Sequence, residues 1–251
     1  MDVQLYLKRI DFVNKVTLDL DTLTALHKNH VFHVPFENLD IYYKSLFDLE
    51  IANIYQKVVV RNRGGFCYEL NSLFNELLLD LGFKSCLISS RIFNDNGSRG
   101  PEYDHMSISV DIAGRNYLCD VGFGDLFISP IEIREGIQHD GKNFFKIKKF
   151  STDEFTLSMA SGEDAFQKKY TFIPLAVPIN AFHESCYDKQ TNPTSYFVKN
   201  IVCTKPTPTG RRTVFNSKLV ETTNGSKTET LINNDDELLK VLEAKFALKT
   251  K

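Results

Sequence analysis

The chain has 251 residues, 42% of them hydrophobic and 25% charged, enough apolar material for a globular core. A formal net charge of −2 and a pI near 6.3 leave no basic footprint for nucleic acid or an anionic membrane surface, and no apolar run approaches the length of a membrane span. Five cysteines, an odd number with no Cys-x-x-Cys, fit a reducing cytosol rather than a disulfide framework or a structural zinc site.

The first residues, Met1 to Arg9, lack a basic segment followed by an apolar one and do not read as a secretory signal. Residues 1–83 read mainly as helices. Leu18, Leu23 and Leu26 fit an amphipathic helix that fades before Pro35, and His27 and His30 on it, among polar neighbours, are expected to be solvated. His33 to Asp40 is expected to be a loop, because the residue before Pro35 is driven to extended backbone.

The densest stretch is Arg63-Gly64-Gly65-Phe66-Cys67-Tyr68-Glu69-Leu70-Asn71. Leu70, Leu73, Phe74, Leu77, Leu78 and Leu81 recur at helical spacing, and Gly82 stops the run. Cys67 therefore sits in the first turn of a helix, with Gly65 as its N-cap. The free N–H groups and dipole of a helix start favour a thiolate and can hold an oxyanion. The plainer reading is a small buried hydrophobe. Glu69 reads as a first-turn carboxylate on the helix dipole, and Arg63 as either a structural partner or a cation for the thiolate.

Residues 84–175 change to short β-runs. Cys86 to Ile88 and Arg91 to Phe93 lead into the turn Asn94-Asp95-Asn96-Gly97. His105 to Ile112 alternates as a half-buried strand, turns at Ala113-Gly114 and returns through Val121. Phe144 to Phe150, Phe155 to Ser158 and Tyr170 to Ile173 are further strands, a set that suggests a small barrel or sandwich. In 176–251, a short segment opens at Asn192 and runs through Phe197. Ile201 to Thr204, Thr213 to Phe215 and Lys218 to Thr222 read as strands, Asn224-Gly225 as a hairpin turn, and Asp235 onward as a helix with Leu238, Leu239, Leu242 and Phe246 as its stripe.

A cysteine nucleophile needs a base, and the base an orienting group. Of six histidines, His139 lies in a charged turn, and pattern leaves His33 and His183 open. His105 stands out because it shares a strand face with Ser107 and Ser109. Asp111 is on that face but about 20 Å along, at about 3.3 Å per residue. Asp104 points the other way. A tight turn near Gly114 makes Asp120 a diagonal cross-strand neighbour of His105, within side-chain reach. Taken alone, Asp120 reads as a turn former before Gly122. The glycines flanking Phe123 permit close backbone approach to a ligand, and Phe123 is either a pocket wall or core. Cys119, alternating with Asp120, is expected to face the barrel core, and Cys86 to lie in an apolar strand; both read as inert.

These residues together resemble the arylamine N-acetyltransferase family. The matching stretches are Arg63 to Glu69 with Asn71, Pro35-Phe36-Glu37-Asn38-Leu39, His105-Met106 and Asp120-Val121-Gly122-Phe123-Gly124, in the same order and spacing. Weaker similarity near Leu5 to Ile10, at Tyr196-Phe197, over Asn200 to Gly210 and in the last helix extends it over nearly the whole chain. The resemblance implies an α+β fold: a helical domain (1–83) carrying the cysteine, a β-barrel (84–175) carrying the histidine and aspartate, and an α/β lid (176–251). It implies a cytoplasmic enzyme that acetylates arylamines, with arylhydrazines as a further acceptor class, in a ping-pong cycle. Acetyl-CoA is the donor, and no metal is involved. Cys67 would accept the acetyl group, His105 serve as base and Asp120 orient it. Phe36 and Phe123 would wall the acceptor pocket, and Gly124 and Thr204 lie near the coenzyme. The same scaffold also suits an amide synthase with a larger acyl donor or a silent binding protein, and the residues alone equally suit a Cys-His-Asp hydrolase.

Overall fold

A computed structural model describes residues 1–162 and 165–248. Helix α1 (Val3–Arg9) is opened by the Asp2 carboxylate, which accepts from the Leu5 N–H. Helix α2 (Leu20–His33) is opened in the same way by Asp19. Leu18 thus precedes the helix and is exposed rather than part of its stripe. The stripe is completed instead by the histidines. Leu23, Leu26, His27 and His30 follow i, i+3, i+4, i+7, and all four are fully buried, which overturns the expected solvation of His27 and His30.

The segment after α2 is not a plain loop. It holds a two-residue strand, β1 (Phe36–Glu37), and a turn of helix, α3 (Leu39–Tyr42). The partner of β1 is a strand near residue 203, so no local pattern could reveal it. Helix α4 (Ile51–Tyr55) runs into a π-helical turn, Gln56–Val60. Helix α5 (Cys67–Asp80) is buried along eleven of its fourteen residues. Its N-cap is Phe66, one residue later than expected, and Gly82 at φ +96° ends it.

Eight antiparallel strands follow: β2 (Lys84–Ile92), β3 (His105–Ile112), β4 (Arg115–Cys119), β5 (Ile131–Glu132), β6 (Gly136–His139), β7 (Phe144–Lys149), β8 (Phe155–Ala160) and β9 (Gln167–Phe172). Their order is β5-β4-β3-β2-β9-β8-β7-β6. The two outer strands meet through a side chain. Gln138 on β6 accepts from the Glu132 N–H and donates to the Glu132 carbonyl on β5, which nearly closes the sheet into a barrel. The two short runs expected around Leu87 and Ile92 are one continuous strand.

Strand β3 is buried on both faces, not half-buried. Met106, Ile108 and Val110 pack into the core that α5 fills. His105, Ser107 and Ser109 face the barrel interior, where the Ser107 and Ser90 hydroxyls bond at 2.7 Å. Cys119 pairs with Ile108 across the ladder and therefore faces α5, not the barrel interior as expected. The barrel core uses Ile88, Leu118, Phe145 and Leu157.

The remaining chain supplies α6 (His183–Thr191), which the sequence pattern did not reveal, α7 (Tyr196–Lys199), and the strands β10 (Val202–Thr207), β11 (Gly210–Phe215), β12 (Lys218–Thr223) and β13 (Ser226–Leu231). With β1 they form a second sheet in the order β1-β10-β11-β12-β13. Asn224 and Gly225 make the last hairpin turn, both at positive φ. Helix α8 (Asp235–Phe246) packs Leu238, Leu242 and Phe246 against Val214 and Leu219 of this sheet. Phe182 and Cys186, at and just before α6, enter the core built on α5.

The buried histidines make stability depend on pH. Burial lowers His27 to about 4 and takes His30, beside His27 and Arg9, well below its ordinary value. Both are neutral in the folded chain, whereas unfolded histidine binds a proton below about pH 6.5. Their contribution is present above about pH 6.5 and is lost as pH falls toward 4, at up to about 1.4 kcal/mol per pH unit for each. Neither ring nitrogen of His30 has a hydrogen-bond partner among the described residues. Denaturant midpoints measured from pH 7 to pH 5 are expected to fall steeply, and His30→Leu to flatten the dependence by about one proton; a midpoint independent of pH would refute this account.

Candidate active site

Cys67 is the first residue of α5, and the chain around it is braced by charge. The Glu69 carboxylate, 1% exposed, accepts from the Phe66 N–H at 2.8 Å and so caps the helix start. Lys57 reaches Glu69 at 2.8 Å and Asp40 at 2.7 Å. Arg63 spans Asp40 at 2.7 Å and Glu37 at 2.8 Å. The question of Arg63 is thereby answered: it belongs to this network beside the helix start. Buried ions in such a set hold position because removing one strands its partner. The glycines are needed for space. A Cβ on Gly64 would meet the Pro35 carbonyl, and Gly65 pairs with Phe36, so the approach to Cys67 lies flush against β1.

His105 and Asp120 meet as the hairpin register requires. Ile108 pairs with Cys119, so Asp120 follows one residue beyond the ladder's end, and His105 Nε2 lies 2.7 Å from Asp120 Oδ2. A carboxylate only accepts, so Nε2 carries the proton and Nδ1 keeps its lone pair. Asp120 is buried and receives three more donors: the Tyr170 hydroxyl at 3.2 Å, the Asn71 amide at 3.0 Å and the Gly122 N–H at 3.1 Å. The imidazole is also held edge-on by Phe123, with ring centres 5.2 Å apart. His27 fixes the backbone of Asp120. Its Nε2 accepts the Asp120 N–H at 3.2 Å, and its Nδ1 then donates to the Ile128 carbonyl.

Asn71 joins the two halves. One turn beyond Cys67, its amide donates to the Met106 carbonyl at 2.6 Å and to Asp120, while its oxygen accepts from the Val121 N–H at 2.9 Å. Gly122 closes the joint. A Cβ there would lie 2.7 Å from the Cys67 carbonyl oxygen and 2.9 Å from Cys67 Cα. The close approach that this glycine permits is to the helix start, and it also lines the cavity described below. Gly124 holds φ +97°.

Cys67 and His105 line one cavity of about 390 Å³, and Phe36, Phe123, Gly124 and Thr204 line it too. Asp120 stands behind His105 and does not reach this wall. Burial pushes the Cys67 thiol well above its ordinary range; the Lys189 ammonium pulls it down, and Cys186, Asp120 and Asp104 push it further up. A lone thiolate is therefore disfavoured here. What can form is a thiolate–imidazolium pair, with both charges created together and the helix start favouring the anion. Lys189, on α6, is itself tied to Asp104 at 2.6 Å. Sequence reasoning missed Tyr170 and Lys189, for which no local signal exists, and His27, whose helical spacing from Leu23 signals burial but not its bond to Asp120. The part played by Asn71 was readable, since i+4 from Cys67 is the same helix face.

The model of the family described as N-acetyltransferase matches residues 19–251. Human arylamine N-acetyltransferase 1 is 29% identical over 230 residues, covering 84% of this chain and 79% of that protein. A pineal gland arylamine N-acetyltransferase isozyme of Gallus gallus is 29% identical over 271 residues, covering 98% and 93%. Among solved structures, the Mycobacterium smegmatis arylamine N-acetyltransferase aligns with a TM-score of 0.91 at 28% identity, covering 99% of this chain and 93% of that one. One from Bacillus cereus, reported to have a Cys-His-Glu catalytic triad, aligns at 0.90 and 26% identity, covering 99% of both. Here the position bonded to the histidine is an aspartate. With the family model spanning nearly the whole chain and these structures superposing along its length, the chain belongs to the arylamine N-acetyltransferase family.

Proposed function

We propose that this enzyme transfers an acetyl group from acetyl-CoA to the nitrogen of an aromatic amine through an acetyl-Cys67 intermediate, in the cytosol. The observation that carries the reading is the shared cavity of Cys67 and His105, with His105 locked to Asp120 so that Nδ1 is the basic nitrogen. In the first half-reaction, Nδ1 takes the thiol proton and the thiolate attacks the thioester carbonyl. Free N–H groups at the start of α5 hold the oxyanion. Collapse breaks the carbon–sulfur bond of the donor, and the departing coenzyme A thiolate takes the proton from His105. In the second, the amine attacks acetyl-Cys67, its proton passes to His105, and the Cys67 thiolate leaves and recovers that proton. The product is the acetamide.

The walls favour an aromatic acceptor over water. Phe36, Phe123, Phe197 and Val202 offer ring-sized apolar surface beside the thiol. Phe36 and Phe123 act as acceptor walls in this reading, and Gly124 and Thr204 as donor contacts. The division into 1–83, 84–175 and 176–251 belongs to the same proposal, with the nucleophile on the first part and its base and orienting carboxylate on the second.

Release of free coenzyme A from acetyl-CoA is expected to require both an aromatic amine and Cys67, and to vanish in Cys67→Ala. Release that ignores the amine would identify a hydrolase; none at all, with turnover of longer acyl donors, an amide synthase. Asp120→Asn replaces an acceptor of four donors by a group whose amide can donate to Nε2 and so move the imidazole proton to Nδ1. The rate of acetyl transfer is expected to fall by roughly a thousandfold or more, as read by single-turnover acetylation of Cys67. A fall of less than tenfold would show that Asp120 does not set the tautomer.

A further inference from the structure

One cation on the cavity wall is anchored by neutral groups. Arg211, on β11, donates from Nη1 to the Gly124 carbonyl and to the Thr204 hydroxyl at 3.0 Å. Those two bonds use both hydrogens of Nη1. Nε and Nη2 have no hydrogen-bond partner among the described residues, and they form the side edge of the fork that takes a carboxylate or phosphate in two parallel bonds. No ion pair reaches Arg211 among those residues. Asp125, on the same wall, pairs with Lys169 at 3.9 Å instead.

Its surroundings make this unusual. The other cations around the site are matched: Lys57 and Arg63 by three carboxylates, Lys189 by Asp104. Arg211 faces a cavity whose other walls include Phe36, Phe123, Phe197 and Phe215. A second cation approaches it from the barrel. Lys142 donates to the Gly210 carbonyl at 3.2 Å, and burial together with the nearby Arg211 lowers its pKa. Burial also lowers Arg211. Asp125 opposes the lowering of Arg211 and Asp140 that of Lys142, and in both burial outweighs the carboxylate. The guanidinium is already fixed by Gly124 and Thr204, so little side-chain freedom is lost when an anion arrives.

We infer that the free edge of Arg211 is the seat of an oxyanion carried by one of the two substrates, either the diphosphate of the thioester donor or a carboxylate on the aromatic amine. The inference rests on the acetyl-transfer reading for its substrates, but the seat itself is tested by binding.

The test compares the wild-type enzyme with Arg211→Gln and Arg211→Lys. For the donor, kcat/KM is measured with acetyl-CoA and with S-acetylpantetheine, which has the same thioester arm and no phosphates. For the acceptor, it is measured with 4-aminobenzoate and its uncharged amide. In parallel, coenzyme A and pantetheine are titrated calorimetrically. Arg211→Gln is expected to reduce one charged-to-uncharged ratio by roughly tenfold or more, with Arg211→Lys recovering part of it. If the donor ratio falls, the coenzyme A affinity falls with it and pantetheine affinity does not; if the acceptor ratio falls, the anion is the carboxylate. Both ratios unchanged, or equal losses with charged and uncharged substrates, would overturn the seat. Wild-type enzyme inert with every pair would instead overturn the acetyl-transfer reading, and the calorimetric arm would still decide whether Arg211 discriminates coenzyme A from pantetheine.

Discussion

Asp120 is a buried carboxylate met by four donors, and the geometry of the site depends on all four. His105, Tyr170, Asn71 and the Gly122 N–H come from strand β3, strand β9, helix α5 and the loop beyond β4. A buried carboxylate short of partners costs several kcal/mol, so each donor is held where the carboxylate needs it. The His105 ring is thus oriented by the same interaction that satisfies the charge. His27 adds a constraint from α2 by holding the Asp120 backbone. Its low affinity for protons is a condition of that role, because only a neutral ring can accept the N–H.

The thiol presents the opposite case. Burial and the nearby Cys186, Asp120 and Asp104 oppose a thiolate at Cys67, and the Lys189 ammonium and the helix start favour it. Burial thus holds the proton on the thiol, and a neighbouring neutral imidazole is the group that can take it up. The charges of Lys57, Arg63, Glu37, Asp40 and Glu69 contribute to position rather than to ionisation. They match one another, and Glu69 uses its remaining capacity on the Phe66 N–H.

Much of this was legible in the sequence because it was local. The start of α5, its stripe, its stop at Gly82 and the β3–β4 hairpin all follow from periodicity and turn chemistry within about fifteen residues. The hairpin alone was enough to choose Asp120 over Asp111 and Asp104. What escaped was either long-range or disguised. Strand β1 exists only through β10, far along the chain. His27 and His30 keep the helical period of their leucine neighbours but are polar by type, so a hydrophobic pattern passes over them. Cys119 was assigned to the wrong face because the apolar side of β3 was taken to be the barrel's interior. The barrel is in fact polar near His105, and the apolar face is the one pressed on α5.

The cavity explains why specificity is harder to read than catalysis. Cys67 comes from α5, and His105 and Phe123 from the barrel and its loop. Phe36 lies on β1, Phe197 on α7, and Thr204 and Arg211 on the second sheet. Cys67 and the His105–Asp120 pair are joined by the short links of Asn71 and Gly122, which a motif can record. The walls are joined by the pairing of β1 with β10 and by the grip of Arg211 on Gly124. A change in the second sheet beyond β1 can therefore reshape what the cavity admits while leaving the thiol, imidazole and carboxylate in register, because the direct links of that register, Asn71 and Gly122, lie outside those strands.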